Sequence, residues 1–176
     1  SAFVAGTGSK EYLLNLGFDE EKIFSPWDVI DNSYYENYIP EKYFPEKNYF
    51  LCVSRLLERK NLLNLIRSYA NYQNSGGKWG LKIIGSGDQY SKLINLSNIV
   101  PDKNNFEIIK WLQIDKLVNY YKKASAFILP SYFDNWGLVV NEAIASGLPC
   151  IVSKNCGCVE DLIKKDISGL IFDPYN

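Results

Sequence analysis

Short, largely apolar segments alternate with stretches of helical periodicity along most of this chain, and that alternation leaves it few folds. Tyr49–Ser54, Leu81–Ile84, Phe106–Ile109, Ala126–Leu129, Pro149–Ser153 and Leu170–Phe172 read as strands. Between them, Leu62, Leu65, Ile66, Tyr69 and Gln73 recur at helical spacing, as do Leu117, Val118, Tyr121 and Ala124. Further helices are expected near Gln89–Leu96, from Gly137 onward, and over Val159–Lys164. Strands apolar on both faces need cover on both faces, which a parallel sheet flanked by helices supplies. The expected fold class is α/β: a Rossmann-like, doubly wound parallel sheet that binds ligands beyond the carboxyl ends of its strands.

Ahead of that unit, residues 1–24 carry a short strand (Ala2 to Ala5), a helix near Ser9–Leu16 closed by Gly17, and a brief strand at Lys22–Phe24. Residues 25–47 differ in character. Pro26, Pro40 and Pro45 punctuate a stretch rich in Asn, Asp and Tyr, which reads as a connector kept partly packed by Tyr34, Tyr35, Tyr38, Tyr43 and Phe44.

Composition removes several classes of function. A hydrophobic share of 47% supports a proper core, and 19 basic against 20 acidic residues leaves no electrostatic footprint for nucleic acid. No apolar run approaches the ~20 residues that span a bilayer, and no signal-peptide pattern opens the chain. Histidine is absent, which removes Ser-His-Asp and Cys-His nucleophiles and any His-ligated metal. Chemistry therefore falls to carboxylates, Lys, Arg and backbone dipoles. Cys52 and Cys150 lie in strands as small hydrophobes, while Cys156 and Cys158 are too close for an easy mutual disulfide and lack further zinc ligands. All four are expected to be free thiols in a reducing compartment. Methionine is absent even at position 1, so the chain is expected to be a piece of a longer protein.

The candidate chemistry collects just after strands. Ala126–Leu129 stops at Pro130, a loop carries Asp134, and Gly137 opens an apolar helix holding Glu142 ~7.5 Å along its axis. The free amides of Gly137, Leu138 and Val139 make that helix start an anion site, with Asn135 and Trp136 on the approach. The plainer reading makes Asp134 a capping carboxylate and Glu142 a solvent-facing one. Yet Glu142 sits among Val139, Val140, Ala143, Ile144 and Ala145, and a carboxylate there wants a specific partner. Arg55 and Lys60, after the Tyr49–Ser54 strand, suit two sides of a diphosphate, Arg through its fork and Lys as a point charge; alone they read rather as a solvated basic turn. Gly85 and Gly87 allow a backbone to approach a ligand closely, though turn geometry explains them about as well. Trp111 suits one wall of a base pocket, while a tryptophan at such a place is more often core.

Assembled, these pieces resemble the retaining glycosyltransferases of family 4, which have the two-domain GT-B fold. Pro130 to Ala143 matches the family frame of an acid, seven residues and a glutamate; Ala145–Pro149 is similar to its Ala-x-Gly-x-Pro. Ser54-Arg55-Leu56 with Lys60, Gly85-Ser86-Gly87, and Gly169–Pro174 look like three further family elements. The resemblance covers about residues 49–174. It implies a donor-binding domain over residues 46–176, incomplete at its C-terminus, with residues 1–45 as the end of an acceptor domain and the interdomain linker.

By the same resemblance, the donor is a UDP- or GDP-sugar, used without a metal or other cofactor, and the glycosyl group passes to a glycan or lipid-linked acceptor with retained configuration. Asp134, Arg55 and Lys60 are the expected catalytic residues: Arg55 and Lys60 on the diphosphate, Asp134 on the transferred sugar. Gly85, Gly87, Trp111, Asn135, Trp136, Gly137, Leu138, Val139 and Glu142 complete the donor site, Glu142 on the ribose. The protein is expected in the cytoplasm, with peripheral association to the inner membrane face through the full-length chain, and residues 1–176 alone are expected not to transfer sugar. Asp134 stands where the family usually has Glu, and Ser54 where it usually has Gly. A Rossmann-like binding or interaction module without transfer activity is the alternative, favoured by Asp134 in place of Glu and by the missing first domain.

Overall fold

The computed structural model describes residues 1–36 and 48–176. Six parallel strands form the main sheet: β3 (Tyr49–Val53), β4 (Gly80–Ile84), β5 (Phe106–Ile109), β6 (Ala126–Leu129), β7 (Cys150–Ser153) and β8 (Gly169–Phe172). Their spatial order is β5-β4-β3-β6-β7-β8. The chain starts in the middle at β3, winds outward through β4 and β5, then returns to β6 and winds the other way. This is the doubly wound topology, and its switch point lies between β3 and β6, where Leu51 pairs with Phe127.

The helices fill the crossovers: α3 (Leu62–Asn74), α4 (Tyr90–Leu96), α5 (Ile114–Lys123), α6 (Leu138–Ala145) and α7 (Val159–Leu162). Alternating strand residues feed two cores. On one face Cys52, Leu81 and Ile83 pack with Leu62, Leu65, Ile66 and Tyr69 of α3 and Leu93 of α4. On the other, Leu51, Val53, Phe127, Leu129 and Val152 pack with Tyr121 of α5 and Val140 and Ala143 of α6. Burying each such aliphatic or aromatic side chain contributes about 1.5–3 kcal/mol, which fixes the strand register and with it the loops at the strand ends.

Two glycines make the loops after β3 and β4 interlock. A Cβ on Gly85 would lie 1.8 Å from the Ser54 carbonyl oxygen, and one on Gly87 would lie 2.4 Å from that of Leu56. Backbone from the loop after β3 occupies the space that side chains would need.

Residues ahead of the main sheet form a separate unit, β1 (Ala2–Phe3), α1 (Thr7–Asn15) and β2 (Ile23–Phe24), whose two strands pair in parallel. It docks on the main domain through the Thr7 amide, which donates to Asp161 Oδ2 at 3.0 Å, and through Gly6, which lies under the Trp136 ring. The connector begins with a single turn, α2 (Ser33–Glu36). There Tyr35 is buried while Tyr34, expected to pack, is exposed. Tyr38, Pro40, Tyr43, Phe44 and Pro45 lie outside the described residues.

Candidate functional site

The loops leaving β3 and β6 are knitted together at the switch point. The Tyr132 amide donates to the Arg59 carbonyl (2.8 Å), Arg59 Nη1 donates to the Phe133 carbonyl (3.3 Å), and Asn61 Nδ2 donates to the Pro130 carbonyl (3.1 Å). These bonds carry Lys60 to Asp134, and the ammonium sits directly on the carboxylate. Lys60 is buried, and the side chain of Asp134 is only 12% exposed. Each charge has lost most of its water, so the other is what makes its burial tolerable.

A second seam holds Asp134 from the far side. Its amide donates to the Asn155 carbonyl (3.2 Å), its carbonyl accepts from Gly157 (3.0 Å), and the Trp136 carbonyl accepts from Cys158 (3.1 Å). A side chain at Gly157 would strike the Asn135 carbonyl oxygen at 2.0 Å. Residues 134–136 thus run beside 155–158 as a short added ladder, rigid by virtue of its backbone bonds.

Gly137 then turns the chain into α6 with φ of 102°, a left-handed conformation that glycine adopts without the strain a side chain brings. No side chain caps the helix start. Asp134, the obvious capping candidate, is committed to Lys60 instead, so the first-turn amides at Leu138 and Val139 keep their capacity for an anion.

Glu142 has the specific partner its apolar surroundings demand. Tyr121 donates its hydroxyl to Oε2 at 2.6 Å, and the Tyr35 hydroxyl acts on the same carboxylate from α2. Burial raises the Glu142 pKa above its ordinary value, and the two phenol hydrogen bonds pull partly in the other direction. Both tyrosines respond in kind: burial and the adjacent carboxylate push the Tyr121 and Tyr35 hydroxyls upward.

The remaining expected residues divide. Arg55 is exposed at the end of β3 and makes no ion pair among the described residues, so its guanidinium is available. Trp111 is 60% exposed just after β5, placing it outside the core. Asn135 and Leu138 are also exposed, while Val139 is half-buried. Trp136, by contrast, is buried and spends its indole N–H on Asn141 Oδ1 at 3.0 Å, which makes it a packing residue of this loop. Gly85 and Gly87 serve the contact between loops described above. Neither Arg55 nor Glu142 hydrogen-bonds to the Lys60–Asp134 pair.

Tyr121 and Tyr35 are the residues that reading the sequence missed. Tyr121 registered only as one apolar position in a helical period. The available signal was its hydroxyl: a phenol on a core-facing helix position needs somewhere to donate.

All four cysteines are buried, and none is in a disulfide. Burial pushes the Cys52, Cys150 and Cys156 thiols up to about 12. Among the described residues no cluster of three or more metal-binding side chains is gathered, and no helix is long and apolar enough to cross a membrane.

The profile of the family described as "Glycosyl transferases group 1" matches residues 36–176. The chain is 30% identical over 132 residues to an uncharacterised glycosyltransferase of Methanocaldococcus jannaschii, covering 74% of this chain and 33% of that protein. It is 25% identical over 175 residues to the lipopolysaccharide 1,6-galactosyltransferase of Escherichia coli, covering 96% of this chain and 46% of that one. Among solved structures, the pneumococcal O-GlcNAc transferase GtfA in complex with UDP and GlcNAc has the same fold, with a TM-score of 0.77 at 19% identity, over 98% of this chain and 34% of that one. The chain thus spans between a third and a half of the curated relatives it matches here.

Proposed function

The chain belongs to the group 1 glycosyl transferase family, and from that premise we propose that it is the donor-binding half of a retaining glycosyltransferase. In this reading it binds a nucleoside diphosphate sugar for transfer of the glycosyl group to a glycan or lipid-linked acceptor. One observation carries the reading: a buried Lys60–Asp134 pair stands beside the uncapped start of α6 at the switch point of a doubly wound sheet. Ligands of such sheets lie in that crevice. The UDP in the pneumococcal transferase supports a uridine nucleotide as the first candidate.

The roles follow from exposure and charge. Arg55, exposed and without an ion pair among the described residues, grips the diphosphate together with the amides at Leu138 and Val139. As the sugar leaves, negative charge grows on the diphosphate, and fixed donors of this kind act more strongly on the transition state than on the ground state. Lys60 adds its positive charge to the same region while holding Asp134 in place to meet the hydroxyls of the transferred sugar. Glu142 accepts from the ribose, and Trp111 offers its exposed face to the base. No metal is needed in this scheme, since Arg, Lys and backbone dipoles supply the electrophilic stabilisation.

The β1-α1-β2 unit reads as the end of an acceptor domain, so residues 1–176 alone bind donor without transferring sugar. The whole protein acts in the cytoplasm, with peripheral association to the inner membrane face. Isothermal titration with UDP, GDP and ADP tests the reading: micromolar to millimolar binding of one nucleotide is expected, and a folded sample that binds none overturns it. A second reading, a nucleotide-binding module without transferase activity, is favoured by Asp134 standing where the family usually carries Glu. Hydrolysis or transfer of a donor sugar by the complete protein separates the two.

A further inference from the structure

We propose that Tyr121 is a positioning residue for donor binding, fixing through its hydroxyl the direction in which the Glu142 carboxylate faces, with Tyr35 closing on that carboxylate from a second element. The inference rests on the donor-site reading above and adds a residue to it.

Packing alone does not explain a tyrosine at this place. The ring of Tyr121 is fully buried, lies 5.8 Å from Phe127 between centroids, and meets Tyr35 edge-on at 6.0 Å. Phenylalanine would fill the same volume without a polar atom to satisfy. The hydroxyl has one good acceptor, Glu142 Oε2 at 2.6 Å; the Val139 carbonyl at 3.5 Å is at the limit of contact. A charge-assisted hydrogen bond of that length is among the stronger kinds a protein makes, and it removes rotational freedom from a glutamate that would otherwise sample several rotamers. It leaves the carboxylate preorganised before any ligand arrives.

The second phenol comes from outside the sheet domain. Tyr35 belongs to α2, in the connector, yet it is buried against the core that holds Tyr121 and Val140. Among the described residues, the titratable groups acting on Glu142 are these two phenols, from α5 and α2. The connector therefore reaches the donor-site carboxylate directly, and the aim of Glu142 depends on the connector being seated.

A double-mutant cycle tests this. UDP, GDP and ADP are titrated into wild type, Tyr121→Phe, Glu142→Ala and the double variant, with thermal melts run alongside. Losing one hydrogen bond to a charged group should weaken nucleotide binding about tenfold in Tyr121→Phe. The double variant should bind no more weakly than Glu142→Ala, because Tyr121 acts only through Glu142. Should Tyr121→Phe unfold, Tyr35→Phe takes its place in the same cycle with the same expectation of non-additivity. Wild-type binding that is unchanged by the Phe substitution, or losses that multiply in the double variant, overturn this proposal and leave the donor-site reading standing. A folded wild type that binds none of the three nucleotides overturns the donor-site reading, and the positioning role falls with it.

Discussion

The ammonium of Lys60 and the carboxylate of Asp134 form a buried ion pair that ties the loop after β3 to the loop after β6. Seventy-four residues separate the two in sequence. The pair is at once a structural rivet and the centre of the proposed donor site.

Truncating one side of that rivet should be costly. Lys60→Ala leaves a desolvated carboxylate without compensation, an effect of about 3–5 kcal/mol for buried pairs. Urea denaturation should show this loss, whereas Lys60→Met combined with Asp134→Leu should recover most of it. A loss below about 1 kcal/mol would mean that the pair is effectively solvated.

Arg55 should behave in the opposite way. Its guanidinium is exposed and makes no ion pair among the described residues, so Arg55→Ala should leave the urea midpoint within the ±0.5 kcal/mol usual for surface changes. Nucleotide affinity should nevertheless fall about tenfold or more, as expected for hydrogen bonds to charged groups. Stability and binding both unaffected would remove Arg55 from the site.

Glu142 should make the fold less stable as pH rises. Its folded pKa lies above the 4.5 of the unfolded chain. Below 4.5 the group is protonated in both states and contributes no pH dependence. From there up to the folded value the native state holds more protons than the unfolded state, so stability declines. Above the folded value the loss is complete. Glu142→Gln should therefore flatten this part of the stability profile and stabilise the protein at neutral pH, while weakening nucleotide binding. Thermal melts from pH 4 to 8 would expose an unchanged slope, which would contradict the assignment.

Gly85 should tolerate nothing larger. Alanine there puts a Cβ 1.8 Å from the Ser54 carbonyl oxygen, and backbone must move to relieve it. Overpacking of this kind typically costs about 1–3 kcal/mol, and here the displaced segment leads directly to Arg55. Gly85→Ala should accordingly lower both thermal stability and nucleotide affinity. Retention of both would show that the two loops part easily.

Much of this was legible in the residues themselves. Apolar strand runs and helical spacing gave the doubly wound sheet because parallel strands buried on both faces leave a strong imprint on sequence. Pro130, Gly137 and the acids around them marked the candidate site, since a strand end, a left-handed turn and a helix start each demand particular residue types. What stayed hidden was who touches whom. Lys60 read as a diphosphate ligand, but its nearest charge is Asp134. Trp136 read as part of the donor site, but it is buried against the N-terminal unit. Tyr121 read as core and is core, yet its single polar atom governs Glu142. Such pairings join residues distant in the chain, and periodicity carries no information about them.

Gly6 illustrates how far the site's support extends. A methyl group at that position would lie 2.4 Å from the Trp136 ring and 2.5 Å from Asp161. The indole is buried and hydrogen-bonded, so it has little room to recoil, and the strip of backbone bearing Asp134 would be levered away from Lys60. The first few residues thus act as a keel beneath the loop that bears Asp134, and damage to that keel would surface as a defect in the proposed donor site.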